Sequence, residues 1–178
     1  MRFHALRLAP VLAAAALAAP AALPAPALAG GGCAGASSRP TPARTAEFSS
    51  TTLCLLNRER ARHGLGGLRS NGRLALAAWR HSRDMAQHNY FAHGDFVGRL
   101  QAAGYFRGRR SWSVGENIAW GSGSNATPRS IVWMWMHSPG HRANILNGGF
   151  HEIGVGLVAG APVPHVRGAA TYTTDFGS

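Results

Sequence analysis

Two hydrophobic periodicities follow one another along this 178-residue chain, and their order limits the folds that the chain can adopt. Near the middle, apolar positions recur at helical spacing, in the stripe formed by Leu74, Ala78, His81 and Met85. Near the end, Ile153, Val155 and Leu157 alternate as in a half-buried strand, and "AATYTTDFG" predicts a final strand. Because helices come first and no strand–helix–strand rhythm occurs, the order predicts an α+β fold with an antiparallel sheet.

Capping residues and glycines predict where the helices begin and end. The first helix should begin near Glu47, with Ser49 or Ser50 as its cap, and stop at Gly64; its charged run "RERAR" predicts a solvated face. Later helices are expected from Ser70 or Asn71 to about Asn89, from Phe96 to Ala103, from Thr127-Pro128 and from Ser138-Pro139. The stretch "SVGENIAWGSGS" is too rich in glycine for a helix and predicts a turn leading into a strand.

The first 29 residues have the features of a secretory signal peptide. Arg2 and Arg7 form a basic start, a proline-interrupted apolar stretch follows, and Ala27-Leu28-Ala29 fits the small-residue rule for cleavage. No later segment reaches the roughly 18 apolar residues that a spanning helix needs. We therefore expect a secreted, extracellular monomer without a membrane span. Residues 30–46, rich in Gly, Pro and Ser, should form an extended tether before a domain at residues 47–178.

Two further composition features bear on stability and partners. An exported chain with two cysteines predicts a Cys33–Cys54 disulfide, worth about 3 kcal/mol for a loop of this size, with free thiols as the alternative. All 18 basic residues are arginines, and removal of the signal peptide takes away two of them, lowering the formal charge from +11 to +9. Such a surface attracts anionic envelope polymers non-specifically, whereas export argues against a specific nucleic-acid partner.

Several stretches together resemble the CAP superfamily of cysteine-rich secretory, antigen 5 and pathogenesis-related proteins, and most closely its bacterial secreted, SCP-like branch. These stretches are "LLNRERARHGLGGL", "HSRDMAQHNYFAHG", "GENIAWG", "WMHSPGHRANILNGGFHEIGVG" and "YTTDFG". They extend over about residues 51–177. The resemblance implies an α-β-α sandwich, with a three- to four-stranded antiparallel sheet between helical layers and an open cleft at one end.

The resemblance also implies a metal site in that cleft. His93 of "YFAH", Glu116 of "GEN" and His141 of "SPGH" match three members of a tetrad that can bind a divalent cation such as zinc. The fourth member, a glutamate, falls at Ser138. Glu116 has three open roles: it could ligate the metal, orient a histidine, or accept a proton from bound water. Asn117 and Arg142 complete the expected cleft.

Structural roles compete at each of these positions. Glu116 could cap amides in its own turn, His141 could bond a carbonyl, and His93 could be a surface histidine. The pair His137 and His141 is broken by Pro139 and Gly140, and His81 suits a hydrogen-bonded core histidine. Asn117 and Asn144 could satisfy buried backbone groups, and Arg142 could pair with an acid or bind an anion. The side chains expected in the core include Trp133, Trp135, Phe150 and Phe176.

Three functions remain open from the sequence. The favoured one is a non-enzymatic binding module for a lipid, glycan or peptide. The second is a metal-assisted or Ser–His hydrolase using Ser138, although there is no GxSxG motif. The third is a basic structural protein of the cell envelope.

Overall fold

The computed structural model describes residues 32–178, which form one compact unit. The predicted signal peptide, residues 1–29, lies outside the described residues, and so does the start of the predicted tether. None of the helices between residues 32 and 178 combines the length and hydrophobicity that a membrane crossing requires.

Five α-helices and four strands make up this unit. The helices are α1 (Thr45–Arg62), α2 (Gly72–His88), α3 (Phe96–Ala102), α4 (Pro128–Met136) and α5 (Pro139–Ile145). The strands are β1 (Arg69–Ser70), β2 (Val114–Ser122), β3 (Glu152–Ala159) and β4 (Ala169–Gly177). Short 3-10 helices occur at Pro42–Arg44 and Gly123–Ala126.

Local capping fixes most helix ends as predicted. The Asn71 side chain accepts hydrogen bonds from the first turn of α2, and Asn89 ends that helix in the left-handed conformation. Thr127 caps α4 in the same way, with Pro128 in its first turn. The prediction for α1 was wrong at its start: the helix begins at Thr45, so Ser49 lies inside it and bonds the Thr45 carbonyl.

One arginine of the "RERAR" run is buried, contrary to the prediction of a wholly solvated face. Arg60 is 2 % exposed and donates hydrogen bonds to the carbonyls of Gly66, Ile145, Asn147 and Phe150. Because these carbonyls lie in the loop after α1 and around the end of α5, Arg60 ties the two regions together.

The sheet is mixed, with strand order β1-β3-β4-β2. Strand β4 pairs antiparallel with both β2 and β3, as predicted, but β1 pairs parallel with β3. The expectation of a purely antiparallel sheet is therefore corrected. The chain leaving α1 runs along the edge of β3 before α2, and it bonds that edge through Arg69 N to His151 O and Asn71 N to Ile153 O.

The two faces of the sheet are covered by different helices, which confirms the α-β-α sandwich. On one face α2 lies directly on β3, because a Cβ at Gly154 or Gly156 would come within 2.0 Å of the α2 backbone. The other face packs against α1 and α4 in the main core, which contains Leu55, Leu56, Ile131, Trp135, Ile153, Leu157, Tyr172 and Phe176.

The "GEN" stretch lies inside strand β2, not in a turn before it as predicted. Its glycines are explained by close neighbours rather than by a turn. A Cβ at Gly115 would lie 2.9 Å from the Asn144 side chain, and one at Gly121 would lie 2.3 Å from the Asn125 carbonyl oxygen. Glu116 and Asn117 are thus held by regular pairing with β4.

The Cys33–Cys54 disulfide is present, with a Cα–Cα distance of 5.8 Å. The described part of the predicted tether is not extended. Thr51 Oγ1 donates to Ala34 O, and Arg129 N donates to Ala36 O, so this segment packs against α1 and α4.

Candidate functional site

Strand β2 and the loop after α2 bring His93 and Glu116 into direct contact. The Nδ1 atom of His93 lies 2.7 Å from Glu116 Oε1. A carboxylate accepts hydrogen bonds, so this contact assigns a proton to Nδ1 and leaves Nε2 as the ring nitrogen that does not bond Glu116. The Glu116 side chain is 2 % exposed and that of His93 is 53 % exposed. A buried carboxylate therefore orients an exposed imidazole.

Arg99 of α3 completes this contact, and the sequence analysis missed it. Its guanidinium donates to Glu116 Oε2 at 2.5 Å and to the His93 carbonyl at 2.7 Å. Arg99 thus neutralises the buried carboxylate and holds the His93 loop at the same time. His93 bonds Oε1 and Arg99 bonds Oε2, so each Glu116 oxygen has a partner. Glu116 does not cap its own turn.

Asp175 of β4 was also missed, and it lies beside Glu116 in the sheet. The two residues are register partners in the β2/β4 pair. Asp175 is 1 % exposed, and burial, together with the charge of Glu116 within hydrogen-bonding reach, raises its pKa well above the usual range. Neither Asp175 oxygen has a donor among residues 32–178. Two buried carboxylates side by side repel each other when both are charged. A proton on Asp175 removes this repulsion, because the neutral carboxyl group can donate to Glu116.

His81 anchors the loop from the α2 side, in the structural role predicted for it. Its ring is 1 % exposed, and Nε2 lies 3.0 Å from the Ala92 carbonyl, to which it donates. Burial is the main cause that lowers the pKa of His81, so the ring is neutral near pH 7. The loop carrying His93 is therefore held by His81 on one side and by Arg99 on the other.

His141, in the first turn of α5, lies near His93. Burial is the main cause that lowers the pKa of His141, and the charge of a protonated His93 lowers it further. Two asparagines fix this approach by bonding backbone groups, as expected. Asn117 Nδ2 donates to His141 O at 3.0 Å, and Asn144 Nδ2 donates to Glu116 O at 3.1 Å. We refer to His93, Glu116 and His141 as the His–Glu site.

The other two predicted cleft residues, Ser138 and Arg142, form no hydrogen bond with His93 or Glu116 within residues 32–178. Ser138 occupies the N-cap position of α5, yet its side chain makes no capping bond and no bond to a histidine within residues 32–178. Within residues 32–178 Arg142 forms no ion pair with an acidic residue; its guanidinium lies 3.1 Å from His63 Nε2, at the end of α1.

The donor atoms of this site suit two metal ligands better than three. Within residues 32–178, no three His, Cys, Asp or Glu side chains are arranged to hold a metal ion. Glu116 is buried and bonds His93 and Arg99, which places it to orient His93, and Ser138 stands at the position expected for the fourth donor. His93 Nε2 and the neutral His141 ring remain as imidazole donors, with Glu116 as the group that orients His93.

Comparisons with known proteins agree with this architecture. In Bacillus subtilis, the uncharacterized protein YkwD is 37% identical over 125 residues, covering 66% of this chain and 45% of YkwD. A crystal structure of an extracellular protein containing an SCP domain, from Bacillus anthracis, matches with a TM-score of 0.56 at 31% identity. That match covers 79% of this chain and 44% of the other. This chain thus spans less than half the length of either relative.

A more distant structure shares the fold alone. An outer surface protein of Borrelia burgdorferi matches with a TM-score of 0.60 at 18% identity, covering 75% of this chain and 94% of that protein.

The model of the cysteine-rich secretory protein family, CAP, matches residues 53–166, which is more than half of the chain. The chain therefore belongs to the CAP, or cysteine-rich secretory protein, family.

Proposed function

We propose that this chain is a secreted, non-enzymatic binding protein whose His–Glu site presents two imidazoles to a ligand outside the cell. The observation that carries the proposal is the burial of the Glu116 carboxylate, whose side chain is 2 % exposed and bonds His93 and Arg99. A general base needs an oxygen that can reach the proton of a substrate or water, and burial behind His93 and Arg99 keeps the Glu116 oxygens from that proton. Secretion is supported by the features of residues 1–29 and by the extracellular relative in Bacillus anthracis.

The ligand that we propose for the site is a divalent cation such as zinc, held by His93 Nε2 and His141. Burial supports this role for His141, because a lowered pKa keeps its ring neutral and able to donate a lone pair near pH 7. Two protein ligands give modest affinity and leave coordination positions open. A carboxylate, hydroxyl or carbonyl oxygen of a peptide, glycan or lipid headgroup could fill those positions.

The test is zinc titration of the exported protein by calorimetry at pH 7. We expect micromolar to submicromolar binding that is lost in both His93→Ala and His141→Ala. His165→Asn is the matched control, since it removes an exposed histidine from a loop where Asn tolerates the positive φ of 66°. Zinc binding that survives both site variants, or that falls equally in the control, would contradict the proposed site.

The alternative function is a hydrolase with Ser138 as the nucleophile, which would need a general base within hydrogen-bonding distance. The ring hydrogen bonds of histidines in residues 32–178 go to other partners, and none involves Ser138 Oγ. We therefore expect no turnover of generic esters or peptides, with or without zinc. Turnover that disappears in Glu116→Ala and not in Glu59→Ala would overturn the binding function.

A further inference from the structure

A second surface, between α1 and α4, has features of a ligand site and shares no residue with the His–Glu site. A groove of about 530 Å³ runs between these helices. We call it the α1/α4 groove; it is lined by Leu55, Arg58, Glu59, Arg62, Arg129, Val132, Trp133, Met136 and His137.

Trp133 forms an exposed aromatic platform in this groove, contrary to the expectation that it would be core. It is 59 % exposed, more than any other large apolar side chain in residues 32–178, whereas Trp135 is 1 % exposed. The ring stacks on His137 at a centroid distance of 4.0 Å, and His137 Nδ1 donates to Trp133 O at 2.7 Å. The platform is thus held in place without being buried, so packing does not explain it.

The charges around the platform are unbalanced. Three arginines and one glutamate line the groove, and Glu59 is paired with Arg62 at 2.5 Å. Arg58 makes no ion pair or side-chain hydrogen bond within residues 32–178. Arg129 uses only Nε, which donates to Ser37 Oγ at 3.0 Å, and keeps its terminal nitrogens free of partners in the same range. Two guanidinium groups therefore remain available to an anion.

A flat aromatic face beside free guanidinium groups suits a sugar ring that carries an acidic group. The ring's C–H face can pack on an indole, and a carboxylate or phosphate can accept paired hydrogen bonds from arginine. A lipid chain fits less well, because four of the nine lining side chains are charged. We propose that the α1/α4 groove binds an acidic polysaccharide, with a sugar ring on Trp133 and its acidic group between Arg58 and Arg129.

The test compares charged and neutral forms of one polymer. Binding of the exported protein to oligogalacturonate and to its methyl ester, which has the same ring without the charge, is measured by calorimetry at low salt. We expect binding to the acid and none to the ester. A phosphorylated mannan, which carries phosphate on a sugar ring, distinguishes phosphate from carboxylate, and Trp133-dependent binding of either acidic polysaccharide supports the proposal.

Matched variants distinguish specific binding in the α1/α4 groove from non-specific attraction of the polymer to a basic protein. Trp133→Ala and Arg58→Gln should each weaken binding about tenfold. Arg110→Gln removes an exposed arginine outside the groove and should weaken binding less than about twofold. His93→Ala should leave binding unchanged, which keeps this result independent of the His–Glu site. All variants are checked by thermal unfolding, and His137→Gln, which removes the stacked support, serves as a second probe of the platform.

Three results would overturn the proposal. Equal losses in Arg58→Gln and Arg110→Gln, with Trp133→Ala unaffected, would mean attraction by net charge alone. Equal binding of the methyl ester would mean that the acidic group is not recognised. Trp133-dependent binding to phosphatidylglycerol vesicles without binding to either polymer would assign the groove to a membrane surface.

Discussion

The His–Glu site with its partner Arg99 and the α1/α4 groove contain the same kinds of side chain, arginine, glutamate and histidine, but differ in their exposure. In the His–Glu site the Glu116 side chain is 2 % exposed and both of its oxygens are bonded. In the groove, Glu59 and Arg62 are 22 % and 62 % exposed, and other arginines have no acidic partner within residues 32–178. Burial fixes one geometry in the first region, whereas exposure leaves charge available in the second.

The largest expected contrast is between two tryptophans of α4 that are two positions apart. Trp135 is buried, and its Nε1 donates to Ile118 O of β2, the strand that carries Glu116. Trp135→Ala should lower the free energy of unfolding by about 4 kcal/mol, through a cavity and a lost bond. Trp133→Ala should change it by less than about 0.5 kcal/mol. Urea unfolding of both variants measures this, and similar losses would contradict the assignment of Trp133 to a binding surface.

Removal of one glutamate from each region tests the comparison next. Glu116→Ala leaves the Arg99 guanidinium without its buried partner and frees the His93 ring, and we expect a loss of about 3 kcal/mol in unfolding free energy at pH 7. Glu59→Ala breaks an exposed pair and should cost about 0.5 kcal/mol or less. Denaturant unfolding at low and high salt checks both. A Glu116→Ala loss no larger than that of Glu59→Ala would mean that the network does not hold the loop.

A smaller effect should appear in the pH dependence of stability. Because the pKa of Asp175 is raised in the folded protein, its contribution is fully present below the unfolded pKa of about 4 and is lost as the pH rises through the folded pKa. Asp175→Asn has no titrating group at this position, so it does not lose this contribution. Its unfolding free energy should therefore rise relative to that of the wild type as the pH increases from about 4 through the folded pKa of Asp175. Each pKa unit by which folding raises the pKa of Asp175 corresponds to about 1.4 kcal/mol of unfolding free energy.

Asp84 provides a control, because its contribution to stability should change with pH in the opposite direction to that of Asp175. The Tyr90 hydroxyl donates to its carboxylate and lowers the pKa of Asp84, so this contribution is present above the unfolded pKa and is lost as the pH falls. Asp84→Asn should therefore lose stability relative to the wild type as the pH rises, but weakly, because Asp84 is exposed. Parallel curves for Asp175→Asn and the wild type would mean that Asp175 is ionised like a surface carboxylate.

Local signals were sufficient for most elements and insufficient for the pairing between them. The Asn71 cap, the Asn89 stop and the alternation at Ile153 and Val155 are set by neighbouring residues, and the structure confirms these elements. Strand β1 has two residues and no periodicity to detect. The glycines of β2 suggested a turn because the side chain and backbone atoms that require them lie elsewhere in the chain.

The site followed the same division. His93, Glu116 and His141 were found through motifs of the family, but their partners were not. Arg99 lies 17 positions from Glu116, and Asp175 reaches it only through the β2/β4 register. Sequence spacing predicts neither contact. The contact with Arg99 depends on where α3 packs, and the contact with Asp175 depends on how β2 and β4 pair.

The most direct test of the account is the tautomer of His93, since the central claim is that Glu116 fixes this ring and leaves Nε2 free. Long-range nitrogen–proton NMR spectra of the histidine rings at neutral pH report which nitrogen carries the proton. We predict the Nδ1–H form for His93 in the wild type, with zinc perturbing Nε2 of His93 and the ring of His141, and a mixture of tautomers in Glu116→Gln. An Nε2–H or averaged His93 ring in the wild type would contradict the claim.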